Sequence, residues 1–222
     1  MKAPLLLIFA GTNGAGKSSL YERLISLYAP EQQESIVNPD RFALQLAKAQ
    51  GYNSVNELPK TLKEQIDIQA GRLALAKRHE LIAKRTDLIV ETTASSTSLL
   101  RLMNKAHSCG YTVSLILVTL GLCDLHLKRI STRVAAQGHH IPTDTVQRRY
   151  ERAWELFPKL ITQADQAILF DNSATLSRIL VKDEHGLTVN HSALSKLNHH
   201  SQARLNKLLA QASQGRQEDR RG

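Results

Sequence analysis

Eight consecutive residues near the start of the chain have the types and spacing of a phosphate-binding loop. They are Gly11-Thr12-Asn13-Gly14-Ala15-Gly16-Lys17-Ser18, which fit G-x-x-x-x-G-K-[ST] at every position. Glycines let the backbone curl until successive N–H groups point at phosphate oxygens. Lys17 can then reach the β- and γ-phosphates, and the Ser18 hydroxyl can ligate Mg²⁺. We therefore predict that this loop binds ATP together with Mg²⁺.

A first acidic candidate, Asp40, follows the strand-like run Glu34–Val37. Ligands of open α/β sheets bind outside the carboxyl ends of the strands, where a carboxylate can accept the proton of an attacking hydroxyl. The alternative is that Asp40 caps the N-terminus of a helix that begins at Arg41. Position alone leaves both interpretations open.

A second acidic candidate, Glu91, ends the run Asp87–Glu91 and is followed by Thr92 and Thr93. Its carboxylate could orient the acceptor or a magnesium-bound water, or it could be a polar strand end facing solvent. The two threonines add hydroxyl groups at the same rim, which favours the functional interpretation. We assign Asp40, Glu91 and Thr92 to the substrate side of the site.

A basic segment covers about residues 124–152, in two helical stretches separated by a break at Gly138–Pro142. Its arginines are Arg129, Arg133, Arg148, Arg149 and Arg152. Phosphoryl transfer depends mainly on positioned cations, so a helix, a turn and a second basic helix suggest a lid that carries arginines onto the phosphates. The alternative is a solvated basic face. The predicted catalytic set is Lys17, Asp40, Arg133, Arg148 and Arg149.

The elements that must position these residues alternate along the chain. Strand-like runs are Leu5–Ala10, Glu34–Val37, Asp87–Glu91, Thr112–Thr119 and Gln166–Phe170. Helical stretches are Lys17–Tyr28, Pro59–Lys84, Ser98–Cys109, Asp124–Ala136 and Thr143–Gln163. Apolar strands that alternate with helices predict an α/β fold with a parallel sheet covered on both faces. We predict the kinase-like P-loop nucleoside-triphosphate hydrolase fold, with five strands in the order 2-3-1-4-5.

The last quarter of the chain is organised differently. Ile179–Val181 and Leu187–Val189 flank turn residues and predict a small hairpin. Leucines at helical spacing predict a terminal helix over Ser192–Ala212. We expect one P-loop domain over residues 1–190, followed by a C-terminal helix and a frayed basic tail over residues 191–222.

Composition limits the class of protein. The chain has 222 residues, 42% of them hydrophobic, which is enough for one α/β domain with a sizeable core. No apolar run reaches the roughly 18 residues of a membrane span. Two cysteines cannot build a disulfide framework, so the cytoplasm is the expected location. The net charge of +9 fits phosphate-rich ligands and leaves nucleic acid as a possible partner.

Seven motifs, taken in order over residues 5 to 173, resemble the zeta-toxin kinases, including the zeta-toxin-like proteins described as predicted ABC-type ATPases. They are Gly11–Ser18, Val37–Asp40, Glu91–Thr93, Gly110–Val113, Arg133–Pro142, Arg148–Tyr150 and Asp171–Ser173. A P-loop alone is common to many families. Its combination with the Arg133–Pro142 and Arg148–Tyr150 segments is much more specific.

The resemblance implies a function for each part of the site. Members of that family use ATP and magnesium to phosphorylate the 3′-hydroxyl of the amino sugar in UDP-N-acetylglucosamine, and an antitoxin protein restrains them. By resemblance, Asp40 is the base and Glu91 lies on the substrate side. Arg133 and either Arg148 or Arg149 would clamp the phosphates. The resemblance thus makes a small-molecule hydroxyl, with a UDP-sugar as the best specific guess, the expected acceptor.

Two other functions stay open at this point. The acceptor could instead be a nucleic-acid end or an antibiotic, the former being consistent with the positive charge. The chain could also be an ATP-driven switch without an acceptor, although it contains no Leu-Ser-Gly-Gly-Gln signature of ABC-type ATPases.

Overall fold

The structure of the protein is a computed structural model that describes residues 3–25, 35–135 and 141–219. For residues 23, 25, 133–135 and 213–219 the backbone alone is described. Predicted features at Glu34, Tyr28, Ala136 and Gly138–His140 therefore lie outside the described residues.

A single mixed sheet organises the described part of the chain. Its strands are β1 (Leu5–Ala10), β2 (Ile36–Val37), β3 (Leu88–Thr92), β4 (Thr112–Thr119), β5 (Gln166–Asp171), β6 (Ser177–Asp183) and β7 (Gly186–Val189). The order is β2-β3-β1-β4-β5-β6-β7, so the predicted order 2-3-1-4-5 is confirmed for the parallel part. The predicted count of five strands is wrong, because the hairpin β6–β7 adds antiparallel to the edge of β5.

Helices cover both faces of this sheet, as predicted. They are α1 (Lys17–Ile25), α2 (Pro39–Ala49), α3 (Lys60–Ala83), α4 (Ser98–Ser108), α5 (Cys123–Ala135), α6 (Thr143–Gln163), α7 (His191–Ser195) and α8 (His199–Asp219). Helices α3, α4 and α6 pack with α7 and α8 in the main core, and α1 packs on the opposite face. The predicted terminal helix is in fact two helices, α7 and α8, because the helical conformation is interrupted between Ser195 and His199.

Strand β1 lies in the middle of the sheet and is buried on both sides. Leu6 and Ile8 belong to the main core, whereas Leu7 and Phe9 belong to the core beneath α1. This explains why the run is continuously apolar rather than alternating. Because β1 pairs in parallel with β3 and β4, the carboxyl ends of the three strands meet at one edge.

The last helix, α8, packs against α6. Arg204 of α8 donates to both carboxylate oxygens of Glu151, at 3.1 and 2.8 Å. Its guanidinium also lies over the rings of Tyr150 and Trp154, 4.8 and 5.7 Å from their centroids. Helix α8 is thus tied at Arg204 to the helix that carries Arg148 and Arg149. Among the described residues, no helix combines the length and apolar character needed to cross a membrane.

Candidate active site

The loop between β1 and α1 has the backbone geometry that phosphate binding needs. Gly11, Gly14 and Gly16 have φ values of 150°, 77° and 94°, a region that favours glycine. A Cβ at Gly11 would lie 2.0 Å from the carbonyl oxygen of Val118, and one at Gly16 would lie 2.4 Å from Asn172 Nδ2. Conformation therefore favours glycine at all three positions, and at Gly11 a backbone oxygen also leaves no room for a Cβ.

Lys17 and Ser18 begin α1 at the end of this loop. Lys17 is 8% exposed, and its Nζ donates to the carbonyl oxygen of Thr12 at 3.1 Å, so the ammonium folds back over the loop. Ser18 is exposed, and its hydroxyl donates to Glu91 Oε1 at 3.1 Å. The helix N-terminus adds its own positive partial charge at this point.

Glu91 of β3 links Ser18 of the phosphate loop to Asn38, the residue that follows β2. Its other oxygen, Oε2, accepts a hydrogen bond from Asn38 Nδ2 at 2.9 Å. Glu91 lies opposite Phe9 in the pairing of β3 with β1, one residue before the strand end. The strand register therefore places this carboxylate beside Ser18, and Asn38 and Ser18 fix its two oxygens.

Asp40 is an exposed residue in the first turn of α2. The residue that caps this helix is Asn38, whose Oδ1 accepts from the backbone N–H of Asp40 at 2.8 Å. The alternative that Asp40 is the N-cap is therefore wrong. Its carboxylate remains at the carboxyl edge of the sheet, next to the residue that holds Glu91.

Thr92 supports the loop through its backbone. Its carbonyl oxygen accepts from the N–H of Gly11 at 3.2 Å, and its hydroxyl accepts from the N–H of Ala94 at 3.4 Å. Ala94 is buried and has a φ of 55°, an unusual conformation for an alanine. The turn that leaves β3 beside Glu91 is thus held in a strained conformation.

The arginines of the basic segment occupy different environments. Arg149 is half-buried, and its Nη1 donates to Asn13 Oδ1 at 3.0 Å, so this side chain reaches the phosphate loop. Burial lowers the pKa of Arg149, the charge of Arg148 lowers it further, and the charge of Asp40 raises it. Arg148 itself is exposed, as is Arg152. The sequence left Arg148 and Arg149 undistinguished, and the structure brings Arg149 to the loop.

Two further arginines were predicted on the first helix of this segment. Arg129 Nη2 donates to the carbonyl oxygen of Asn172 at 2.6 Å, so it contacts the end of β5 rather than the loop directly. The side chain of Arg133 lies outside the described residues.

Asn172 was not predicted to contact the loop. Its Nδ2 donates to the carbonyl oxygen of Ala15 at 2.9 Å, and its N–H donates to Thr119 at the end of β4. The preceding Asp171 is fully buried and accepts from the N–H and hydroxyl of Ser173. Burial raises the pKa of Asp171. The motif Asp171–Ser173 was quoted only for the resemblance, and spacing gave no signal for a contact 157 residues away in sequence.

His126 of α5 also contacts the loop and was not singled out from the sequence. It is fully buried, and its Nδ1 donates to the carbonyl oxygen of Asn13 at 2.8 Å. The available signal was weak, since His126 and Ile130 are four residues apart on the inner face of a helix.

The chemistry of this arrangement is that of nucleotide phosphates held by cations and backbone N–H groups. Lys17 and Arg149 supply positive charge, while Ser18, Asp40 and Glu91 supply oxygen atoms on the side of β2 and β3. Magnesium prefers oxygen ligands and keeps several waters, so one hydroxyl and nearby carboxylates suit it. Within the described ranges, no cluster of three or more histidine, cysteine or acidic residues offers an all-protein metal cage.

Comparison with known proteins gives a family match. The family model described as Zeta toxin matches residues 1–192. An uncharacterized protein of Haemophilus influenzae is 30% identical over 144 residues, which are 65% of this chain and 91% of that protein.

Two solved structures are similar in fold. The AvrRxo1-ORF1:-ORF2 complex with ATP has a TM-score of 0.70 at 14% identity, covering 94% of this chain and 80% of the other. A structure from the PezAT chromosomal toxin–antitoxin system of Streptococcus pneumoniae has a TM-score of 0.61 at 15% identity, covering 96% and 87%. These structures confirm the predicted P-loop fold, and the family match confirms the prediction of an ATP-dependent kinase.

Proposed function

This chain belongs to the zeta-toxin family, and we propose that it transfers the γ-phosphate of ATP to a hydroxyl group of a small molecule. The observation that carries the proposal is the convergence at one sheet edge of a complete phosphate loop, two carboxylates and one arginine. Glu91 is fixed by Ser18, and Arg149 is fixed on Asn13. The site therefore contains both a cationic side for the phosphates and an acidic side for the acceptor.

The cationic side of the site binds the phosphates. Backbone N–H groups of Gly14–Ser18 surround the β-phosphate, and Lys17 neutralises charge between the β- and γ-phosphates. Arg149 is the lid arginine that acts on the γ-phosphate, since it lies on the loop while Arg148 is exposed. Ser18 and Glu91 would hold Mg²⁺, which would neutralise phosphate charge when bound.

The acidic side of the site handles the acceptor. Asp40 takes the proton of the acceptor hydroxyl as that oxygen forms a bond to the γ-phosphorus. The bond between the γ-phosphorus and the bridging oxygen breaks, and ADP leaves. Glu91 and Thr92 lie at the same edge and line the acceptor side. We also propose that α5 and α6, with residues between them, act as the lid over about residues 124–152.

The specific acceptor that we propose is UDP-N-acetylglucosamine, because the family resemblance carries it. An antitoxin protein is a proposed partner on the same ground, since PezAT is a toxin–antitoxin system. A second candidate acceptor is a nucleic-acid end, which the net charge of +9 favours. Binding to oligonucleotides would then weaken with added salt, with a log–log slope set by the number of phosphates contacted.

The test is an acceptor screen with γ-labelled ATP and Mg²⁺. The protein is incubated with UDP-N-acetylglucosamine, other nucleotide sugars, nucleosides, an aminoglycoside and short RNA. Lys17→Ala and Asp40→Asn are run in parallel. We expect transfer to the nucleotide sugar, lost in both variants.

Matched controls separate the site from general effects of charge. Lys48→Ala and Asp67→Asn change exposed residues of α2 and α3 and should leave transfer unchanged. If phosphate is transferred to RNA and to no other compound, the acceptor is a nucleic-acid end and not a nucleotide sugar. ATP hydrolysis that depends on Lys17, without transfer to any acceptor, would refute the kinase proposal and leave an ATP-driven switch.

A further inference from the structure

The ring of His126 is built into the back of the phosphate loop. Its Nδ1–H donates to the carbonyl oxygen of Asn13 at 2.8 Å. The Thr12 hydroxyl lies 3.1 Å from both ring nitrogens, so it is in direct contact with the ring. Two consecutive residues of the loop are thus fixed by one side chain that is itself fully buried.

The backbone of His126 supports the next residue of the loop. A Cβ at Gly14 would lie 3.1 Å from the carbonyl oxygen of His126 and 3.3 Å from Ile130 Cγ1. The crest of the loop therefore rests directly on α5. Residues 12 to 14 are held by this helix through a hydroxyl, a carbonyl and close packing.

Asn13 is held from both helices of the basic segment. His126 of α5 binds its carbonyl oxygen, and Arg149 of α6 binds its side-chain oxygen. The loop N–H groups can cradle phosphate only if the peptide units on either side of Asn13 keep their orientation. Helices α5 and α6 thus act together on the orientation of the peptide units on either side of Asn13.

The surroundings of His126 keep the ring neutral. Burial lowers its pKa to about 4, and the nearby charges of Lys17 on α1 and Arg129 on α5 act in the same direction. The carbonyl oxygens of Asn13 and Leu120 act in the opposite direction. On the α6 side it faces the ring of Tyr150, with centroids 5.2 Å apart.

We propose that His126 is a positioning residue for ATP binding, acting through Thr12 and Asn13. Its neutral ring fixes the orientation of the loop N–H groups before the nucleotide arrives, so the site does not have to be ordered by ATP itself. The inference rests on the proposed function only in requiring that ATP binds at Gly11–Ser18. His126 thereby becomes a residue of the nucleotide site contributed by α5, and this role does not depend on which acceptor is used.

The test compares two substitutions of different chemistry. His126→Asn keeps an N–H donor near the position of Nδ1, whereas His126→Leu fills similar volume and removes the donor. The dissociation constant of ATP with Mg²⁺ is measured by calorimetric titration, without any acceptor. We expect His126→Leu to weaken ATP binding by roughly tenfold or more and His126→Asn by less than about threefold, because a buried carbonyl left without a donor is costly.

Further variants separate this role from a merely structural one. A thermal unfolding scan of each variant identifies loss of fold, which would lower the bound fraction without changing the dissociation constant of the folded protein. Thr12→Val removes the hydroxyl on the loop side of the contact. If the pair acts together, the double variant with His126→Leu should weaken binding by less than the product of the single effects.

Each outcome decides a different point. Wild-type affinity in folded His126→Leu would overturn the inference, as would equal weakening by His126→Asn and His126→Leu. If His126→Leu does not fold, Thr12→Val and His126→Asn decide: weaker binding in Thr12→Val together with less than about threefold weakening in His126→Asn supports the role, and any other result overturns it. Lys17→Ala serves as the separate control, since unchanged ATP binding there would refute the proposed function instead.

Discussion

Replacing Glu91 by glutamine should impair the use of Mg²⁺ while leaving the fold intact. Glu91 accepts one hydrogen bond from Ser18 and one from Asn38, at 3.1 and 2.9 Å. Glutamine has a single oxygen, and the Asn38 amide is a donor that needs it. The glutamine NH₂ must then face Ser18 and donate to its hydroxyl oxygen, which leaves that oxygen one lone pair instead of two for a metal.

The magnitude follows from the type of bond that is lost. A hydrogen bond to a charged group contributes about 1.5–3 kcal/mol, and each 1.36 kcal/mol or so changes a rate tenfold. We therefore expect kcat/KM for ATP to fall by roughly 10- to 150-fold. The Mg²⁺ concentration for half-maximal rate should rise, because the ligand set has lost both a charge and an available oxygen.

The assay measures initial rates over a series of Mg²⁺ concentrations at fixed ATP, with unfolding temperatures measured alongside. Glu22→Gln is the matched control, since this glutamate is an exposed residue of the same helix as Ser18. An unchanged Mg²⁺ dependence in Glu91→Gln, with kcat/KM within about twofold of wild type, would refute the reasoning. A large loss of unfolding temperature would assign Glu91 to stability instead.

Three further predictions concern the arginines, the buried histidine and the loop glycines. Arg149→Ala should lower kcat/KM for ATP by roughly 10-fold or more while Arg148→Ala changes it little, and equal effects of the two on initial rates would contradict the placement of Arg149 on the loop. The folded pKa of His126, about 4, lies below its unfolded value of about 6.5. Stability present above pH 6.5 should therefore be lost as the pH falls towards 4, by roughly 2–3 kcal/mol, and denaturant titrations should show a smaller loss in His126→Asn. Gly16→Ala should weaken ATP binding in a calorimetric titration by roughly tenfold or more, because its φ of 94° is strained for alanine and the side chain of Asn172 would have to move. Gly51→Ala, with a similar φ of 87° but open space, should bind normally.

The parts of the site that the sequence predicted are those encoded locally. A P-loop needs a strand, a turn and a helix that are consecutive in the chain, so Gly11–Ser18 could be identified from eight residues. The order of the parallel strands follows from the fold class. Helix α6 was predicted with the correct bounds, Thr143–Gln163, because its apolar spacing is regular over many turns.

The parts that the sequence did not predict depend on distant contacts. His126 binds a residue 113 positions away, and Asn172 binds one 157 positions away, so no local pattern could reveal either. The sequence also left open that Asp40 caps α2, whereas the structure shows that Asn38 is the cap. Both residue types are favoured at N-cap positions, so the sequence alone could not choose between them. The hairpin β6–β7 was predicted, but whether a hairpin joins a sheet edge depends on tertiary packing.

The central place of β1 has a consequence for how the protein is made. Leu5–Ala10 leaves the ribosome before both of its neighbours in the sheet, Leu88–Thr92 and Thr112–Thr119. At a synthesis rate of about 5–20 residues per second, this apolar strand waits roughly 5–20 s for both partners. During that interval it is an unpaired segment that a chaperone can shield. The nascent chain therefore cannot complete its nucleotide site until β3 and β4 have both emerged.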